Sequence, residues 1–265
     1  MSTRPRGARY TAMFARLRDA NEGAFIPFAM LGDPDPARSL ELVRTLARSG
    51  ADALELGLPF SDPVADGPVI QAAASRALAA GVRRADCWRL VRGVRDEFPE
   101  LPIGLLVYAN LVCHRDPVVF YREAANAGVD SVLVADLPVS ESAPVAAAAR
   151  AAGIAPVFIA PPNADDTRLS TIAAAGEAYT YVTSREGVTG TDERLGRGQS
   201  GVIGRLKQLG APPPVLGFGI ATPEHMRIAL AMGAAGAISG SAVVRLAADG
   251  GDVSGFVRAM KAATR

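Results

Sequence analysis

Two carboxylates, Glu55 and Asp66, stand eleven residues apart in a segment that reads L-E-L-G-L-P-F-S-D-P-V-A-D-G-P over residues 54–68. Glu55 lies between Leu54 and Leu56 at the end of a short apolar run. An ionised carboxylate in such a place is costly without a partner, so burial should raise its pKa toward the range useful for acid–base work. Asp66 sits in a loop braced by proline and glycine, from which it can meet Glu55 across a ligand while staying more solvated and ionised. The spacing therefore offers one group that exchanges a proton and one fixed negative charge. Plainer readings compete. Glu55 can form a buried ion pair with an arginine of the surrounding wall, and Asp62 and Asp66, which precede Pro63 and Gly67, can serve only to make turns. For Asp62 the turn is the better reading.

Other chemistries lack their residues. The only lysines are Lys207, in a surface helix, and Lys261, in the C-terminal tail, so no Schiff-base lysine stands at a strand end. His114 and His225 are the only histidines, and neither belongs to a spaced metal-ligand motif. Both read as structural or surface residues. No G-x-S-x-G nucleophile elbow is present. What the chain does have is a pair of glycine-rich turns, Gly217-Phe218-Gly219-Ile220 and Gly236-Ala237-Ile238-Ser239-Gly240-Ser241. Glycine lets backbone N–H groups approach an anion with no Cβ in the way, and a short helix over 241–246 would add its N-terminus. That arrangement fits a phosphate ester, with simple tight turns as the alternative. G-x-x-x-x-G-K-S/T is absent and Gly217-x-Gly219 has no third glycine, so nucleoside triphosphates and dinucleotides are not indicated.

The elements that must position these groups are visible in the hydropathy pattern. Eight short runs are apolar throughout instead of alternating: residues 25–30, 53–56, 103–108, 131–134, 154–159, 179–182, 215–218 and 237–239. They read as strands covered on both faces, as in a parallel sheet. Between them, segments such as 36–49, 69–80, 117–127 and 141–151 carry apolar residues at helical spacing and read as crossover helices. Eight such pairs predict an α/β fold, a single (β/α)8 (TIM) barrel over residues 1–265 with extra helices. The longest interval, 56–103, holds the Asp66 loop and two helical stretches around Gly81. Chemistry in a barrel sits at the C-terminal ends of the strands. There the sequence places Glu55, Asp62 and Asp66 after strand 2, Tyr108 and Asn110 at strand 3, Asp136 past strand 4, and Tyr181 with the 184–191 loop at strand 6.

Composition narrows the partners. Of 265 residues, 49% are hydrophobic, enough for one continuous core, and 28 basic against 27 acidic side chains leave a formal charge of +1. No global field would gather nucleic acid. No apolar stretch reaches the roughly 20 residues that span a bilayer, and no signal peptide follows Arg4, Arg6 and Arg9, so a cytoplasmic protein with no membrane contact is expected. Residues 1–9 read as a solvated extension. Cys87 and Cys113, without C-x-x-C spacing, read as reduced and mostly buried thiols.

Over nearly its whole length the chain resembles the α subunit of tryptophan synthase. The resemblance is carried by Pro27-Phe28 with Leu31-Gly32-Asp33-Pro34, the 54–68 segment, Gly104 through Asn110 (G-L-L-V-Y-A-N), and Ser131 through Asp136 (S-V-L-V-A-D). Pro161-Pro162-Asn163, Tyr179-Thr180-Tyr181, Ser184-Arg185, Gly187 through Gly190 (G-V-T-G) and the two glycine turns complete it. It implies retro-aldol cleavage of indole-3-glycerol phosphate to indole and glyceraldehyde 3-phosphate, with no cofactor on this chain. By position, Glu55 would protonate indole C3 and handle the glycerol hydroxyl proton, and Asp66 would stabilise positive charge at the indole N–H. The resemblance further assigns Phe28, Leu106, Leu133, Ala135, Ile159 and Tyr181 to the indole pocket, Gly190, Gly219, Gly240 and Ser241 to the phosphate, and Phe218 to the substrate-binding residues. Thr189, in a lid over 184–198, would reach Asp66 on closure. The implied partner is a β subunit in an α2β2 assembly, holding pyridoxal phosphate and receiving the indole, with the Asp62 loop and the lid communicating with it. Met30, where the family usually has threonine, and Thr183 and Glu186 near the lid are departures from the pattern. Alternatives are a stand-alone enzyme releasing free indole and a non-catalytic binding subunit.

Overall fold

The computed structural model describes residues 5–183 and 197–265. Helix α1 (Ala8–Asp19) precedes β1 (Ala24–Met30), α2 (Pro36–Arg48), β2 (Leu54–Gly57), α3 (Pro68–Ala79), α4 (Arg84–Glu97) and β3 (Ile103–Val107). Then follow α5 (Ala109–Cys113), α6 (Pro117–Ala127), β4 (Ser131–Val134), a 3-10 turn (Val139–Glu141), α7 (Ala143–Ala151), β5 (Ala155–Ala160) and α8 (Asp166–Ala175). The chain closes with β6 (Thr180–Thr183), α9 (Arg197–Gln208), β7 (Pro214–Gly217), α10 (Pro223–Ala231), β8 (Gly236–Ser239), α11 (Ser241–Ala248) and α12 (Val253–Ala262). The eight strands are parallel and pair in sequence order, β1 against β8, into a closed barrel. This is the predicted (β/α)8 barrel, with α1, α3, α5 and α11 beyond the eight crossover helices. Strand limits move by at most one residue from the expected ones.

Uniformly apolar strands now have a reason. Along β1, Ala24, Ile26, Phe28 and Met30 join the cluster inside the barrel, while Phe25 and Ala29 join the layer between strands and helices. Each face needs apolar residues, so the period-two alternation disappears from the sequence. Several helices begin where their sequence says they must: Asp35, Asp116, Asp165 and Thr222 accept from the backbone N–H groups of the first turn, and prolines occupy the start of α2, α6 and α10.

The N-terminus corrects the sequence reading. Of the stretch 1–9 expected in solvent, residues 1–4 lie outside the described residues, but Arg9 donates to Asp130 at 2.7 Å and to the Pro99 carbonyl at 2.6 Å, and the exposed Arg6 pairs with Glu177. Ala8 and Arg9 open helix α1, whose Tyr10, Met13 and Leu17 are buried under the N-terminal ends of the strands. An arginine-rich segment looks solvated when its acidic partners lie more than a hundred residues away. Lys261 is likewise no tail residue: on α12 it bonds Asp52 at 2.9 Å and Glu22 at 3.0 Å. Cys87 is buried as expected, whereas Cys113 is exposed. Among the described residues no helix is long and apolar enough to cross a membrane.

Asp130 ties this end of the barrel together. Its carboxylate accepts from Arg9, from Arg95 at 2.6 Å and from the Ile103 N–H at 2.9 Å. Asp130→Ala would leave two poorly exposed guanidinium groups and a buried amide without their acceptor, so it should lower unfolding free energy by about 3 kcal/mol in urea titration. A loss below about 0.5 kcal/mol, the size expected of a surface substitution, would contradict this assignment.

Candidate active site

Glu55 is the second residue of β2, paired in register with Phe28 of β1 and Gly104 of β3, and its side chain enters the barrel interior. It is 2% exposed. Burial pushes its carboxyl up to about 8, the negative charge of Asp66 adds to the rise, and a hydrogen bond from Tyr179 opposes it. Tyr179 Oη donates to Glu55 Oε1 at 3.0 Å. The partner of this buried acid is thus a hydroxyl, not an arginine of the wall. Burial and the charge of Glu55 hold the Tyr179 phenol well above its ordinary range, which keeps it a donor.

Asp66 comes from the loop after β2 and is itself buried, at 6% exposed. It is less solvated than its loop suggested: burial takes its carboxyl up to about 6, against a lowering hydrogen bond from Tyr108. Tyr108, N-cap of α5, also accepts from the Ala65 N–H at 3.2 Å and stacks on Phe60, centroids 5.4 Å apart, so one ring steadies the loop at two points. Asp62 takes the turn role, bonded to the Ser61 hydroxyl. Neighbouring Val64 is 70% exposed.

Glu55 and Asp66 line one cavity that opens to solvent. Phe28, Leu106, Leu133, Ala135, Ile159, Tyr181 and Phe218 give it an apolar wall, and Gly219, Gly240 and Ser241 form one rim. All ten of these residues, singled out by resemblance, line the same space as Glu55 and Asp66. Thr189 and Gly190, with the rest of the loop 184–196, lie outside the described residues. Met30 is buried but is not on this wall; its methyl packs near Gly57, where a Cβ would stand 3.1 Å away.

Local backbone explains the glycines. A Cβ on Gly217 would fall 2.1 Å from the Tyr181 ring, so the ring reaches the cavity only because β7 has no side chain there. Phe218 and Gly219 both adopt positive φ, 70° and 76°, turning the chain sharply after β7. Ser239 donates to the Ile220 carbonyl at 2.6 Å and joins this turn to β8. Gly240 then caps α11, whose first residues Ser241 and Ala242 reach the cavity. The unpaired N–H groups of a helix start attract an anion.

The residue that inspection of the sequence missed is Tyr179. It stands immediately before β6, two residues from Tyr181, and joins the same cluster inside the barrel. Period-two spacing in a strand whose neighbour was already assigned to the pocket was the available signal. Tyr10 was missed with α1: its ring lies 5.5 Å from that of Tyr179 and its hydroxyl meets Ser131 at 3.1 Å. His225 serves locally, accepting from the Ala221 N–H at 3.2 Å. Among the described residues no group of His, Cys, Asp or Glu is placed to hold a metal ion.

Comparison with known proteins shows the family. Residues 14–261 match the family model described as tryptophan synthase alpha chain. The chain belongs to the tryptophan synthase α chain family. It is 56% identical to the tryptophan synthase alpha chain of Shewanella baltica over 97% of both chains, and 52% identical to that of Serratia proteamaculans over 97% of this chain and 99% of the relative. Among solved structures, one from Aquifex aeolicus VF5 is similar with a TM-score of 0.90 at 32% identity, covering 97% of this chain and 99% of that one. A tryptophan synthase structure from Mycobacterium tuberculosis gives 0.89 at 28% identity, covering 97% and 98%. As a tryptophan synthase α chain this protein is a lyase of tryptophan biosynthesis acting on indole-3-glycerol phosphate.

The raised Glu55 pKa has a stability consequence. Because the folded value, about 8, exceeds the 4.5 of the ordinary carboxyl, Glu55 favours the folded state below pH 4.5, and that contribution is lost as pH rises through about 8. Glu55→Gln removes the charge that must otherwise be buried. Compared with wild type, the variant should gain at least about 1 kcal/mol of unfolding free energy between pH 5 and pH 8.5. Parallel urea curves for the two proteins at both pH values would contradict it.

Proposed function

We propose that Glu55 and Asp66 carry the cleavage of indole-3-glycerol phosphate to indole and glyceraldehyde 3-phosphate as a two-carboxylate reaction. The observation that carries this is a buried carboxyl raised to about 8 facing, across an apolar cavity, a second carboxyl raised only to about 6. Near pH 7 Glu55 is mostly a neutral acid and Asp66 mostly a carboxylate.

The indole ring is held between Phe28, Leu106, Leu133, Ile159, Tyr181 and Phe218, with the phosphate at Gly219, Gly240 and Ser241 and the N-terminus of α11. Glu55 gives its proton to indole C3, which makes the ring an indolenium. The positive charge gathers on the ring nitrogen, where Asp66 accepts the N–H and stabilises it. Glu55, now a carboxylate, takes the proton of the glycerol hydroxyl adjacent to the ring. As that oxygen forms the aldehyde carbonyl, the carbon–carbon bond breaks and its electrons restore neutral indole. Glu55 ends protonated, so no net proton is consumed. The substrate provides its own electron sink, and a lysine or a metal has no task in this scheme. Tyr179 orients the Glu55 carboxyl, and the apolar wall excludes water that would level its acidity.

In this reading the chain is a single domain of a cytoplasmic α2β2 complex. A β subunit holds pyridoxal phosphate and takes up the indole. The exposed Val64 beside Asp62 fits a loop that meets a partner. Thr189 and Gly190 would complete the site from the lid.

Two outcomes are expected in an indole-formation assay. Glu55→Gln abolishes turnover while indole-3-glycerol phosphate still binds, because the amide cannot return the proton; wild-type turnover would contradict the assignment. The pH dependence of kcat/KM is bell-shaped. Activity falls as pH drops through about 6, where Asp66 is neutralised, and falls again as pH rises through about 8, where Glu55 loses its proton. A profile that stays flat between pH 7 and pH 9.5 would contradict an acid at Glu55.

A further inference from the structure

Asp66 owes its position to a helix that has little apolar bulk to hold it. α3 starts just after Gly67, and Gln71 in its first turn donates from Nε2 to the Asp66 carbonyl at 2.7 Å. The buried side chains of α3 are Ile70 and three alanines, Ala73, Ala74 and Ala77, which remove little surface from water. Its single charged residue is Arg76. The Arg76 guanidinium grips Asp33 through two parallel bonds, Nε to Oδ1 and Nη2 to Oδ2, each 2.7 Å. Asp33 is buried in the turn that follows β1. That turn is fixed twice more. The Gly32 N–H donates to Ser39 Oγ at 2.9 Å, and a Cβ on Gly32 would stand 2.6 Å from the Val82 side chain just beyond α3. On another side α3 packs against α11, whose start borders the cavity.

We propose that the Asp33–Arg76 pair positions the catalytic machinery: it locks α3 to the end of β1 and so sets where Asp66 stands opposite Glu55. The inference rests on the reading of Asp66 as the charge beside the indole nitrogen. A bidentate guanidinium–carboxylate pair fixes orientation as well as distance, which a single ammonium group does not. With only Ile70, the partly buried Val69 and alanines facing inward, α3 shifts readily once this grip is lost. A displacement of about 1 Å at a reacting group costs as much as 100-fold in rate, while the rest of the apolar wall and the phosphate rim, to which α3 itself adds only Ile70, keep their hold on the substrate. Arg76 and Asp33 touch neither the cavity wall nor the substrate; they act through α3.

The test compares Arg76→Gln, Asp33→Asn, the double variant and Arg76→Lys in steady-state indole formation by the full chain. Far-UV circular dichroism and melting curves are recorded for each. Each neutral variant should lower kcat about tenfold to 100-fold with KM changed less than about twofold. The double variant should be no slower than the slower single one, because both remove one interaction. Arg76→Lys, which keeps the charge but not the fork, should recover part of kcat at unchanged KM. A lower melting temperature with wild-type kcat overturns the proposal, and so do single effects that multiply in the double variant. Should the neutral variants fail to fold, Arg76→Lys decides: reduced kcat at unchanged KM supports the proposal and wild-type kcat overturns it. Asp66→Asn separates the two layers. If it turns over like wild type, the reading of Asp66 fails; if it is inactive while Arg76→Gln keeps its kcat, the positioning role alone fails.

Discussion

A carboxyl group enclosed in the apolar interior of a barrel is the constraint around which this molecule is arranged. Glu55 sits on β2 where every neighbouring strand contributes apolar side chains, and the closed sheet admits no water from the sides. Deprotonation there costs free energy, so the group keeps its proton to about pH 8. The barrel makes that cost tolerable by supplying one donor, Tyr179, which limits the rise and fixes the carboxyl's direction. A fully paired glutamate, bonded to an arginine, would be a better structural residue and a useless acid.

The two ends of the barrel divide the work. At the N-terminal end, charges are neutralised in compact groups: Asp130 with Arg9 and Arg95, and Asp52 with Arg16 and Lys261. Tyr10 of α1 fills the floor beneath Tyr179. At the C-terminal end, loops and short helices bring in groups whose polar atoms face the cavity. Asp66 is held by Tyr108 on one side and by α3 on the other, and the start of α11 borders the cavity. Stability is built where chemistry is absent, which leaves the upper rim free to keep a half-satisfied acid.

How much of this was readable in the sequence depended on how local each cause is. Strands covered on both faces leave continuous apolar runs, so all eight were visible, as was the α6 helix capped by Asp116 and opened by Pro117. Glu55 showed itself as a charge where a buried strand allows none, and Gly219 and Gly240 as glycines at turns. Partnerships across the chain left no such trace. Arg9 and Asp130 are 121 residues apart, Tyr179 and Glu55 are 124 apart, and only the closed sheet brings either pair together. Family resemblance supplied what residue chemistry alone did not, namely the substrate and the proposed pairing of Asp66 with the indole nitrogen.

Glu55 is a neutral acid in the resting protein at neutral pH, kept so by burial and steered by Tyr179. The most direct test of this is a titration of the Glu55 carboxyl carbon by nuclear magnetic resonance, using glutamate labelled with carbon-13 and Glu55→Gln for assignment. The resonance should titrate near pH 8, and at higher pH in Tyr179→Phe, because the lost hydrogen bond favoured the charged form. A Glu55 resonance that titrates between pH 4 and 5, as an ordinary glutamate does, would contradict it.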